Sequence, residues 1–182
     1  MIALHPTFHP NFVQFLKEFN DTHDYFECHE LLEDYWKEVS QADKNHPLTA
    51  FILLSTSMYH WRRGNITGAI KTMNGSIKRF AETFPSSYYE TINYVKLMQH
   101  ATHSINIMKE KITFQRFAIE LTNEELQHLV GALEIPSSSD LHFLTHKHML
   151  RDRSEILIER ERQKEMRKRL ESGKKKRRDD LK

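Results

Sequence analysis

The sequence predicts an all-α protein: a compact bundle of about five helices, then an extended connection, a short helix and a long charged C-terminal helix. Three observations predict it. Gly and Pro number only five each among 182 residues, which is too few for a turn-dense sandwich or barrel. Phe, Leu, Ile, Met and Tyr supply most of the apolar content, and they recur at three- and four-residue steps. Helix start and stop signals follow one another in register along the first hundred residues. A chain of this length buries a core without staples.

Phe12, Phe15, Leu16 and Phe19 after Pro10 give a first short amphipathic helix. Asp24 caps the second, with Glu27 as its capping-box partner, and this helix runs to about Val39 before the polar connection "SQADKNH". Pro47 at a first-turn position opens a third helix that Gly64 closes in a left-handed cap. Leu48, Phe51, Ile52, Leu54, Ser55, Met58 and Tyr59 leave little of it polar, so it is the expected central helix.

Ile66, Ala69, Ile70, Met73, Ile77, Phe80, Ala81 and Phe84 form a fourth helix that stops at Pro85. Ser87 with Glu90 reads as the capping box of a fifth, carrying Tyr88, Ile92, Val95, Met98, Ala101, Ile105 and Met108. "ITFQRFAIEL" then loses helical period and reads as extended chain: a hinge, a lone strand or a strap across the bundle. Thr122 and Glu125 are expected to cap a short helix, and "PSSSD" breaks the chain again. From about Arg153 the pattern is charged nearly all round. Residues 1–110 are thus expected to form the bundle, 111–150 a strap and short helices packed on it, and 151–182 a charged helix and basic tail.

The net charge is +2, divided as −4 over residues 1–150 and +6 over 151–182. "GKKKRRDDLK" supplies salt-sensitive, sequence-blind attraction to phosphates, and the absence of aromatics in the tail argues against base stacking. The charged helix is expected to meet solvent or a protein partner. A lone cysteine, Cys28, on the apolar arc of the second helix excludes an internal disulfide and predicts packing in a reducing, cytoplasmic setting. The N-terminus lacks an export-signal pattern, and "LTAFILLSTSMY" is too short and hydroxylated to span a bilayer, so no membrane association is expected. No Gly-rich phosphate loop or Ser nucleophile elbow is present.

"YFECHELLEDYWKE" carries the candidate chemistry. With Tyr25 at zero and 100° per residue, its apolar side chains occupy an arc from about 240° to 20°, while His29 falls at about 40° and Glu33 at about 80°. Side chains four apart face the same way, so this imidazole and carboxylate can share one metal ion or one proton. "HELLE" has Glu33 where the zinc-protease signature needs a second histidine, so a third donor must come from elsewhere. His60 is the best candidate, on a thin polar stripe with Thr49, Thr56 and Ser57 along the central helix. Two readings stay open for His29, Glu33 and His60: an internal hydrogen-bonded cluster, or a divalent metal site with Glu30 or Glu27 assisting as base.

"YFECHELLEDYWKE" followed by "YHWRRGNITGA" resembles the bacterial family known as domain of unknown function 309, over about residues 20–85. The resemblance singles out Tyr25, Phe26, Glu27, His29, Glu30, Glu33 and Trp36, then His60, Arg63, Gly64, Asn65, Gly68 and Ala69. It implies a small all-helical bundle for which a metal-dependent hydrolase role has been suggested, with Tyr25, Trp36, Arg63 and Asn65 around the pocket. The family pattern has glutamines where this chain has Thr49 and Leu53, which makes the pocket drier here. The two functional expectations are therefore a binding or scaffold module and a metal-dependent hydrolase. His142, His146 and His148 offer a second chelating arrangement if helical, against a solvated face as the alternative; His5 and His9 share the four-residue step, but Pro6 and Pro10 argue against a helix there.

Overall fold

Proline and histidine open the first helix. In the computed structural model, which describes residues 4–136 and 140–150 with Ile158, Glu161, Arg162 and Glu165, Pro10 is the first residue of α1 (Pro10–Lys17). The His9 ring accepts the Asn11 N–H ahead of it. A π-helical turn, Glu18–Thr22, extends α1, and His23 in the left-handed region (φ 56°) turns the chain. Then follow α2 (Tyr25–Ser40), α3 (Leu48–Arg62), α4 (Ile66–Glu82), α5 (Tyr94–Lys109), α6 (Glu124–Ala132) and α7 (Leu141–Leu150). Among the described residues there is no strand, only an isolated antiparallel bridge between Ile92 and Leu121. The protein is all-α.

The chain divides into Met1–Lys147 and His148–Lys182. In the second unit Ile158, Glu161, Arg162 and Glu165 are helical, and the remaining sequence of the expected charged helix and basic tail lies outside the described residues. No helix among the described residues is long and apolar enough to cross a membrane.

α3 is the centre of the first unit. Leu48, Ala50, Phe51, Leu54, Ser55, Ser57, Met58, Tyr59 and Trp61 are all buried, and the helix packs most extensively on α4 and α2. Buried hydroxyls tie it to α4 in both directions: Ser57 donates to the Ala69 carbonyl at 2.7 Å and Ser76 to the Ala50 carbonyl at 2.8 Å. A buried hydroxyl without such a partner is costly, so these bonds set how the two helices meet. Around Phe51 the rings of Phe12, Phe15 and Phe80 stand edge to face at 4.9–5.7 Å, a favoured aromatic geometry.

Three expectations about helix ends need correction. Ser87–Tyr89 is a single 3₁₀ turn, and α5 begins at Tyr94, where the Asn93 side chain accepts the Lys96 N–H. Asn93 displaces Ser87 as cap because the intervening chain is engaged by residues far away in sequence: the Thr122 N–H donates to the Thr91 carbonyl and the Asn93 N–H to the Glu120 carbonyl. The cap of α6 is Asn123 rather than Thr122, whose own N–H that pairing uses. Asp24 does accept the Glu27 N–H at 3.0 Å, but the reciprocal half of the capping box is absent. The Asp24 N–H turns to the Thr22 hydroxyl, and the Glu27 carboxylate accepts from Lys147. Val95, expected on the apolar face of the fifth helix, is exposed, as is Val39 near the end of α2.

The segment after α5 is extended, as predicted, and lies across the bundle as a strap. Asn20 on the π-helical turn clamps it, donating to the Ile119 carbonyl at 2.9 Å and accepting the Ile119 N–H at 2.8 Å. Phe114 packs edge-on against Trp61 and Tyr25, and Phe117 lies against Phe19 and stacks on His100. Replacing Asn20 by Ala leaves both polar groups of the buried Ile119 backbone unpaired, at an expected cost of about 1–3 kcal/mol. Urea unfolding should show a lower midpoint for Asn20→Ala; a stability within about 0.5 kcal/mol of the parent would mean that the clamp is not what fastens the strap.

Candidate functional site

His29 and Glu33 sit one turn apart on α2 with Asp24 capping the helix, and they border a cleft of about 350 Å3. Trp36 continues their edge. Thr49, Ile52 and Leu53 of α3 form the facing wall, and Lys44 and Arg79 complete the lining. Ile52 and Leu53 make that wall apolar, and Lys44, Thr49 and Arg79 give the cleft a polar rim. Trp36 is fixed in place by its indole N–H, which donates to the Asp43 carbonyl at 2.7 Å. Arg79 is held by Asn45 at 2.8 Å and Glu82 at 3.1 Å.

At one end of the cleft His29 Nδ1 faces two carboxylates, Glu30 Oε1 at 3.2 Å and Glu33 Oε2 at 3.7 Å. The second Glu33 oxygen takes Lys37 at 2.8 Å, which neutralises part of the local charge. Ligand atoms of His29, Glu30 and Glu33 all lie within 4.8 Å of one another, so a single ion can reach all three. All three residues are partly exposed, which leaves water access to the same point. The wheel places Glu30 away from His29, yet its side chain is long enough to swing back to the adjacent imidazole.

His60 is not in this group. It belongs to the joint between α3 and α4, where the Asn65 carboxamide accepts the Gly68 N–H with its oxygen at 3.0 Å and turns its nitrogen to His60 Nδ1 at 3.2 Å. In that orientation Nδ1 is the acceptor and the neutral ring carries its proton on Nε2. The same joint explains the glycines of "RRGNITGA". Gly64 has φ +80°, and a Cβ on Gly68 would stand 2.6 Å from the Asn65 amide nitrogen. Arg63 stacks on Tyr59 at 5.5 Å. Burial, with Arg63 adding to it, pushes the His60 pKa below its usual range.

The remaining expected site residues have other neighbours. Glu27 meets Lys147 at 3.1 Å, and the same ammonium pairs with Asp24 at 2.6 Å. Tyr25 is fully buried, with the Arg62 guanidinium 4.9 Å above its ring. Cys28 is buried, and burial raises its thiol pKa well above the usual value, in keeping with packing. The His142 and His146 rings lie 4.9 Å apart on α7, which departs from helical geometry at His146.

A family model described as "Domain of unknown function (DUF309)" matches residues 12–72. The match spans α1 to the first half of α4, and so contains both walls of the cleft. The chain is also 30% identical over 166 residues to "Uncharacterized protein YpuF" of Bacillus subtilis (strain 168), covering 86% of this chain and 95% of that one. No solved structure matches.

The depressed His60 pKa has a consequence for stability. Between that value and the unperturbed 6.5 the unfolded chain binds the proton more readily, so this contribution is complete above 6.5 and is lost as pH falls through the window. Burial depresses His23, His46 and His100 in the same direction. His60→Gln keeps an acceptor for Asn65 and removes one titration, so its melting temperature should fall less steeply than the parent's on acidification from pH 7. Parallel melting curves for the two proteins would contradict that assignment.

Proposed function

The chain belongs to the DUF309 family, and we propose that it is a binding module whose ligand sits in the cleft between α2 and α3, with a divalent cation held at the His29 end. The observation that carries this reading is the convergence of an imidazole nitrogen and two carboxylates within 4.8 Å at the edge of a cleft of about 350 Å3. A volume near the lower end of ordinary ligand sites suits a small molecule. Its polar rim supplies Lys44, Thr49 and Arg79 for orientation, and Ile52 and Leu53 supply the apolar wall.

The donor set fits zinc or manganese, since one imidazole with two carboxylates offers zinc a nitrogen ligand and manganese two oxygen ligands, with no thiolate. His29 would bind through Nδ1, the nitrogen that faces both carboxylates. Glu30 takes the place of His60 as third donor. A helix supplies all three from one turn, so little reorganisation accompanies binding.

A metal-dependent hydrolase is the second reading, favoured by the number of donors. Three protein ligands leave coordination positions for water, and a bound cation lowers that water's pKa toward neutrality. In this reading Glu30 is a ligand, and Glu27 is engaged by Lys147 rather than standing ready as a base.

Titration calorimetry of untagged protein with zinc or manganese should show one saturable site that His29→Ala and Glu33→Gln remove. Trp36 fluorescence should change on binding. At a hundredfold excess over Kd the bound ion should add about 2.7 kcal/mol of stability. No saturable heat with either ion and an unmoved melting temperature would overturn the cation site. Turnover of p-nitrophenyl phosphate or acetate by the loaded protein, absent in His29→Ala, would decide for the hydrolase over the binding module.

A further inference from the structure

A second cavity, of about 560 Å3, lies away from the cleft. The π-helical turn and the residue after it contribute Thr22 and His23 to its lining, α3 contributes Arg62, the strap Thr113, Phe114 and Arg116, and α7 Leu141, Leu144 and Thr145. From these residues we propose that the cavity binds a small organic oxyanion, a phosphate or carboxylate carried on an apolar body.

The first support is charge. Arg62 and Arg116 both line the cavity, and among the described residues neither has a carboxylate within 4.0 Å. Arg62 is held by neutral acceptors, donating from Nη1 to the His23 carbonyl at 2.5 Å and from Nη2 to the Leu144 carbonyl at 2.7 Å. Carbonyls fix the guanidinium without cancelling its charge, and its Nε is buried with no partner. The acidic groups close by are already matched. Asp21 pairs with Lys17 at 2.7 Å, Asp24 with Lys147 at 2.6 Å, and burial raises the pKa of Glu18, whose carboxylate receives the Thr22 hydroxyl. Two guanidiniums without countercharge at one cavity are the arrangement that oxyanion recognition uses.

Size and lining carry the second step. The cavity is far larger than an inorganic ion needs, and Phe114, Leu141 and Leu144 give it an apolar wall on the strap and α7 sides. The Thr22 hydroxyl is taken up by Glu18 and the Thr145 hydroxyl by the Leu141 carbonyl, so Thr113 is the threonine left to donate to a ligand. His23 Nδ1 faces the Phe19 carbonyl at 3.0 Å, which turns its other nitrogen away from that contact. Arg116, exposed on the strap, supplies the second charge without holding any part of the fold.

Calorimetry on the full chain at physiological salt, with phenyl phosphate, benzoate, phenol and inorganic phosphate as probes, tests this. Phenyl phosphate or benzoate should saturate one site, and whichever binds tighter identifies the oxyanion. Phenol and inorganic phosphate should bind at least about tenfold more weakly, a difference of about 1.4 kcal/mol. Arg116→Gln should weaken binding by at least about tenfold at an unchanged melting temperature, Arg116→Lys should recover part of it, and Glu33→Gln, in the other cleft, should have no effect. The proposal fails if neither probe saturates at millimolar concentration. It fails equally if Arg116→Gln binds as the parent does, because the attraction then comes from cations elsewhere, such as those after residue 150.

Discussion

Everything in the first unit is arranged around a helix with almost no face left for water. Along α3 and its C-cap Arg63 the positions short of full burial are Thr49, Ile52, Leu53, Thr56, His60 and Arg63, spaced by three and four, with Arg62 beside them. They form one stripe, and α2 meets its first half with His29, Glu33 and Trp36. The cleft therefore exists because the central helix is sealed elsewhere, by Ser57 and Ser76 bonding across to α4 and by the aromatic rings around Phe51. Arg62 is the exception to the stripe. It emerges on the Tyr25 side, and its two carbonyl partners hold the π-helical turn and α7 against the end of α3.

The bundle, its central helix and the His29–Glu33 pair were legible because each depends on local spacing. Four residues of α-helix bring two side chains to the same edge whatever else the chain does. What escaped depends on partners distant in sequence. His60 was expected to join His29 from a polar stripe along the central helix, but of that stripe only Thr49 lines the cleft with His29 and Glu33, and Ser57 turns to α4. The Asn65 carboxamide, fixed by capping α4, accounts for the His60 ring instead. Asn93 replaced Ser87 as a cap for the same kind of reason, through a strap whose pairing spans some thirty residues.

The role of Arg62 has a signal in the sequence. This arginine is a charged residue in the last turn of a helix whose positions four and seven earlier, Met58 and Ser55, are buried. A cation on a buried register needs acceptors, and a chain that supplies carbonyls rather than a carboxylate leaves its charge available. Arg116 could not have been read this way, because extended chain carries no period from which to place it.

The two cavities differ in how firmly their walls are built. The cleft stands between helices joined by buried apolar residues. One wall of the larger cavity is α7, where Leu144 is the one buried hydrophobic residue among those whose side chains are described. Polar anchors hold α7 instead, with Lys147 on Asp24 and Glu27 and the Leu144 carbonyl on Arg62. Lys147 and Asp24 are largely shielded from solvent, so salt screens their pairing little, and the attachment of α7 rests on such polar contacts more than on apolar packing. An anion between Arg62 and Arg116 would also act on this joint, by offsetting the cationic charge that the carbonyl of Leu144 now stabilises alone on the α7 side.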